Sequence, residues 1–142
     1  MKEDINALDE IHKGACMGVD ALDFVLDKVE DDSLKKELER QYNDYKDIAA
    51  EIEKIYPKYN EGQPHDTSAV NKAMTWMSTE MKTMTDRSNS NIAEFLLNGV
   101  NMGIIEGRKI LNNKELNSEV NEIISKYVTM QEENVDILKK YL

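Results

Sequence analysis

Cysteine, proline, histidine and tryptophan are all scarce here: one, two, two and one respectively among 142 residues. Each shortage excludes something. The lone Cys16 cannot close an internal disulfide, so packing must hold the fold, as in a reducing compartment. Cys16 lies in an apolar-periodic segment without a basic cluster to favour its thiolate, and a reduced, buried, inert thiol is expected. The two prolines, Pro57 and Pro64, fall close together and leave long stretches free of helix breakers. Positive charge is also short. Against 28 Asp and Glu there are 18 Lys and Arg, a formal net charge of −10. An acidic surface repels phosphate backbones and anionic headgroups, so neither nucleic acid nor a membrane is an expected partner. No apolar run approaches the ~18 residues of a spanning helix. The first ten residues hold four acidic groups rather than a secretory signal, and a cytoplasmic location is expected.

Catalytic signatures are missing as well. There is no Cys-x-x-Cys, no Gly-rich phosphate loop, and no serine motif on a strand-to-helix turn. No nucleophile–base pair is visible. The chain reads as a non-enzymatic protein, and no cofactor is expected.

What remains is rich in Glu, Lys, Leu, Met and Ala, the strong helix formers. It also carries a repeat. Gly14-x-x-Met17-Gly18 recurs 85 residues later as Gly99-x-x-Met102-Gly103, with Asn6 matching Asn91, Val19 matching Ile104 and Leu26 matching Leu111. Apolar residues at alternating spacings of three and four predict four long helices. The first, about 3–29, has Leu8, Ile11, Ala15, Gly18, Leu22, Val25 and Val29 on its seam. The second, about 33–59, has Leu38, Tyr42, Tyr45, Ala49, Ile52 and Tyr56, with Asp32 or Ser33 as its cap and Pro57 placed to end it early. The third, about 89–112, has Ala93, Leu96, Val100, Gly103, Gly107 and Ile110, and Asn91 with Glu94 resembles a capping box. The fourth, about 118–141, has Ile124, Val128, Gln131, Val135, Leu138 and Leu142, and it aligns on the second at an offset of 86. Tyr45 then falls opposite Gln131, and a hydrogen bond between them is expected.

Residues 67–86 form an extra amphipathic stretch with Met74, Met77, Met81 and Met84 on one stripe. A single helix over 68–112 competes with a break in the polar run 85–91. If two hairpins are related by a pseudo-two-fold axis, the second and third helices run parallel, and their link must cross the bundle. A helix of ~18 residues spans ~27 Å, which suits that crossing. The expected fold is therefore all-α, one domain over 1–142: a hairpin at 3–59, a loop and crossover helix at 60–87, and a hairpin at 88–142.

A duplicated hairpin with a long crossover, carrying the short Trp-containing segment Ala73-Met74-Thr75-Trp76-Met77, resembles the ferritin-like four-helix bundles of rubrerythrin type. It looks closest to a bacterial family of uncharacterised ferritin-like proteins. The resemblance implies a di-iron site built from a Glu on each of two helices and a Glu-x-x-His pair on each of the others. This chain departs from that pattern. It has no Glu-x-x-His, its only histidines are His12 and His65, and no carboxylate falls on the assigned seams.

The remaining candidates have a bland reading and a functional one. Asp9-x-x-His12 has metal-ligand spacing, but needs partners such as Glu132 or Glu133 from another helix. Without them His12 is a partly buried histidine with one hydrogen bond. Gly14, Gly18, Gly99, Gly103 and Gly107 lie in helix interiors, where each costs ~1 kcal/mol relative to alanine. Close approach by another helix, a ligand or a partner would offset that, with Met17 and Met102 packing over the notches at a bundle centre or dimer interface. The Met74, Met77, Met81 and Met84 stripe is either core filling or an adaptable partner surface. The leading expectation is a self-associating, homodimeric or partner-binding bundle. The alternatives are a metal-binding or redox protein with atypical ligands, and a bundle holding a small apolar ligand between its glycine-thinned helices.

Overall fold

The computed structural model describes residues 2–64 and 77–142; His65, Met74 and Trp76 lie outside the described residues. The described residues form helices and no strand. Helix α1 spans Lys2–Leu26 and α2 spans Asp32–Ile55. The first helix stops three residues short of the expected end because Asp31 starts the second. Its carboxylate accepts the backbone N–H of Leu34 at 2.8 Å, so Asp31 is the cap rather than Asp32 or Ser33. Pro57 has no N–H to donate, and the chain tightens into a single 3-10 turn at Tyr56–Lys58.

Residues 77–83 are helical and 84–87 are not, so no single helix runs from 68 to 112. Helix α3 spans Asn89–Asn113, and Ser88 caps it by accepting the N–H of Asn91 at 3.2 Å. The capping box expected at Asn91 is displaced by three residues. Asn91 instead donates its side-chain amide to the Asp86 carbonyl at 2.7 Å. Helix α4 spans Ser118–Lys139 behind the cap Asn117.

The four long helices pack most extensively as α1 with α2 and α3 with α4; α1 also touches α3 and α4, and α2 touches α4. Hydrogen bonds between their ends fix the directions. The start of α1 meets the start of α4, where Asp4 accepts the N–H of Asn117 at 2.8 Å. The end of α2 meets both: Tyr56 donates to Asp9 at 2.8 Å, and Tyr59 donates to Glu119 at 3.1 Å. At the other end, the Ser33 and Tyr141 hydroxyls bond at 2.8 Å. Hence α1 runs with α4, and α2 runs against both. The short 114–117 link turns α3 against α4, so α2 and α3 run in the same direction. The end of α2 and the start of α3 lie at opposite ends of the molecule.

The core follows the three–four spacing. Leu8, Ile11, Ala15, Leu22 and Val25 of α1, and Leu38, Tyr45, Ala49 and Ile52 of α2, are buried, as are Ala93, Leu96, Val100, Gly107 and Ile110 of α3. On α4, Ile124, Val128, Gln131 and Leu138 are buried. Leu142 departs from the pattern at 60% exposure, because the helix has ended at Lys139. Burying a leucine or isoleucine side chain contributes about 1.5–3 kcal/mol, so these seams supply most of the cohesion.

Candidate functional site

The helix-interior glycines decide the geometry at the bundle's middle. A Cβ on Gly18 would lie 2.8 Å from three atoms of the Tyr45 ring, so that ring rests face-on against bare backbone. A Cβ on Gly14 would meet the Tyr127 hydroxyl at 2.8 Å, and one on Gly103 would meet Gln131 Nε2 at 2.6 Å and the Tyr127 hydroxyl at 2.7 Å. On Gly107 it would collide with Val128 Cγ2. These four glycines therefore receive side chains from α2 and α4. They are not points where two helix backbones cross.

Both copies of Gly-x-x-Met-Gly line one cavity of about 340 Å³. Helix α1 contributes Gly14, Met17, Gly18 and Leu22; α3 contributes Phe95, Gly99, Val100, Met102 and Gly103. Met77, 8% exposed, closes part of the wall. Side chains of α2 and α4 supply the polar groups: Gln41, Tyr45, Tyr127 and Gln131. Glu10, Ile105 and Glu106 also line it, and Ile105 is 52% exposed, so the cavity opens to solvent there.

Three of the polar groups form a buried relay. Tyr45 donates its hydroxyl proton to Gln131 Oε1, and Gln131 Nε2 donates to the Tyr127 hydroxyl at 3.0 Å. The Tyr45–Gln131 bond expected from the aligned seams is present. Burial raises both phenols, since a phenolate in this apolar setting would lose its hydration. The amides of Asn134 and Gln131 only partly counter this at Tyr45. Tyr127 is pushed up to about 12. Both hydroxyls therefore keep their protons at neutral pH; Tyr45 donates its own to Gln131, and the Tyr127 oxygen accepts from Gln131. The fourth group behaves differently. Gln41 is 1% exposed, yet its Nε2 has no hydrogen-bond partner. Leaving a buried donor unpaired costs about 1–3 kcal/mol.

The other sequence candidates lie elsewhere. Asp9 is 5% exposed and accepts from Tyr56, while His12 Nε2 is 3.4 Å from Glu53 Oε2. Both meet side chains of α2 and its end, whereas Glu132 is held by Arg108 of α3 at 2.7 Å. Cys16 is half-buried with its sulfur 3.9 Å from His12 Nδ1, rather than fully enclosed. Among the described residues no three His, Cys, Asp or Glu side chains group as metal ligands. Met81 and Met84 are half-buried against the core, and Met74 lies outside the described residues.

Two features were missed from the sequence. Asp4 and Asp9 are buried carboxylates, although the seams assigned no carboxylate to the core; both sit at one end of the bundle, where helix ends supply donors. Gln41 takes the buried place that the expected seam gives to Tyr42, which is only half-buried. The run Leu38, Gln41, Tyr45, Ile48 fits the three–four spacing equally well. The offset of 86 also sets Gln41 on Tyr127, which makes Gln41–Tyr45 and Tyr127–Gln131 swapped pairs.

Compared with known proteins, residues 3–113 match a family described as "Domain of unknown function (DUF2383)". The matched stretch takes in nearly all of α1 and all of α2 and α3, and with them both Gly-x-x-Met-Gly copies. No curated protein and no solved structure matches the chain.

Proposed function

The chain belongs to the DUF2383 domain family, and we propose that it is a non-enzymatic, ferritin-like bundle of two repeated hairpins that binds a small, largely apolar molecule. The single observation carrying this reading is the cavity. Its volume of about 340 Å³ falls in the range of ligand pockets, roughly 300–1,000 Å³. Its wall is largely apolar, uncharged polar groups converge on it from α2 and α4, and one side is open. Both Gly-x-x-Met-Gly copies border it, and the side chains their glycines admit, Tyr45, Tyr127 and Gln131, supply three of its polar groups. The duplicated-hairpin arrangement is supported by the shared direction of α2 and α3 and by both sequence repeats reaching one cavity.

Naphthalene tests the reading, since an apolar cavity of roughly 150 Å³ already admits benzene. Calorimetric titration should give saturable one-to-one binding. Filling the hollow with Met17→Trp and Met102→Trp together should abolish that binding without lowering the melting temperature. Absence of saturable heat from the unaltered protein would refute it.

Self-association is a second reading, favoured by one observation: Ile105 is 52% exposed beside Met102 at the cavity mouth. Sedimentation should then give twice the monomer mass, reverting to one with Ile105→Lys.

A further inference from the structure

Resting on the cavity reading, we propose that Gln41 selects the ligand: the molecule is neutral and apolar, with one acceptor oxygen, such as a ketone or amide carbonyl, which takes the Gln41 Nε2 proton. Of the polar side chains lining the hollow from α2 and α4, three are hydrogen-bonded among themselves. Tyr45 donates to Gln131, and Gln131 donates to Tyr127. Gln41 alone is left, 1% exposed, with Nε2 unpartnered. A buried amide that lacks a protein partner and borders a cavity is completed by whatever fills the cavity. The missing partner is an acceptor, because Nε2 can only donate.

Charge decides which acceptor. Glu10 and Glu106 line the same hollow, and the chain carries a net charge of −10. No arginine or lysine is among the described residues that line it. A carboxylate or phosphate would enter a negative field with no cation among the described lining residues to receive it. A carbonyl oxygen presents the same lone pairs without that cost. The cavity has about twice the volume of one that holds benzene, which suits a two-ring skeleton.

The test compares isosteres. 2-Acetylnaphthalene and 2-isopropenylnaphthalene differ only in a carbonyl oxygen replaced by CH2, and 2-naphthoate supplies the anion. Titration calorimetry on the unaltered protein should show the ketone binding about five- to tenfold tighter than the alkene, the span of one neutral hydrogen bond. The naphthoate should bind at least tenfold more weakly than the ketone. In Gln41→Leu the ketone-to-alkene ratio should fall to about one while the alkene still binds. Gln41→Met, closer in length, should behave likewise if the leucine variant packs poorly. Equal affinities for ketone and alkene in the unaltered protein, or a ratio that survives both substitutions, would overturn the role of Gln41 and leave the cavity reading standing. Tighter binding of naphthoate than of the ketone would overturn the neutral-ligand assignment. Binding of none of the three would overturn the cavity reading and this inference with it.

Discussion

Gln41 and Gln131 are buried glutamines that face the same hollow with opposite consequences for stability. Gln131 satisfies two phenols at once. Gln131→Leu would strand the Tyr127 hydroxyl and remove the acceptor of Tyr45, so a loss of about 2 kcal/mol in urea unfolding is expected. Gln41→Leu removes an amide whose Nε2 has no partner, and a gain of about 1 kcal/mol is expected in the same measurement. The phenols also set an alkaline limit. An unfolded tyrosine ionises near pH 10, whereas Tyr127 is held to about 12 in the native state, with Tyr45 raised as well. Below pH ~10 both states keep the proton and stability is complete; above it the unfolded chain ionises first. The urea midpoint should therefore hold between pH 8 and 10 and fall as pH rises from 10 toward 12. In a spectrophotometric titration, Tyr45 and Tyr127 should release their protons only as the helical signal is lost.

At the scale of the helix, glycine placement was legible in the sequence but its partner was not. The repeat located Gly14, Gly18 and Gly103 as notches. Whether a backbone, a ring or a ligand fills a notch depends on the facing helix, and spacing along one helix carries no such information. Gly107 illustrates the difference. In an isolated helix Gly107→Ala would stabilise by ~1 kcal/mol. Here the new methyl would run into Val128 Cγ2, on a β-branched side chain with little rotamer freedom. A net destabilisation of about 1–2 kcal/mol is expected by thermal unfolding. Helix ends were read to within a few residues. The errors at Asp31 and Ser88 share one cause: several Asp, Asn and Ser residues cluster at each boundary, and propensity does not choose among equals. Pro57 was the exception, because a missing N–H can end a helix in only a few ways.

At the scale of the molecule, the all-helical class and most of the seam residues followed from periodicity alone, while Tyr42 and Val135 are only half-buried and Leu142 is exposed. The hollow did not. A seam of apolar residues predicts contact, and it takes the relative rotation of α1 and α3 to show that Gly-x-x-Met-Gly, with glycines packed against Tyr45, Tyr127 and Gln131, also borders an open cavity. The unpaired amide of Gln41 was equally hidden, since Gln41 and Tyr42 both fit one register and only packing separates them. The account therefore centres on the cavity being a site that a ligand occupies. Labelling the methionine methyl groups with carbon-13 and adding naphthalene tests this most directly, because an aromatic ring displaces the resonances of methyls it touches. Met17, Met77 and Met102 line the hollow, and Met130 does not. The account predicts saturable shifts for those three with Met130 unmoved. Shifts spread evenly over the methionines, or no shift at all, would contradict it.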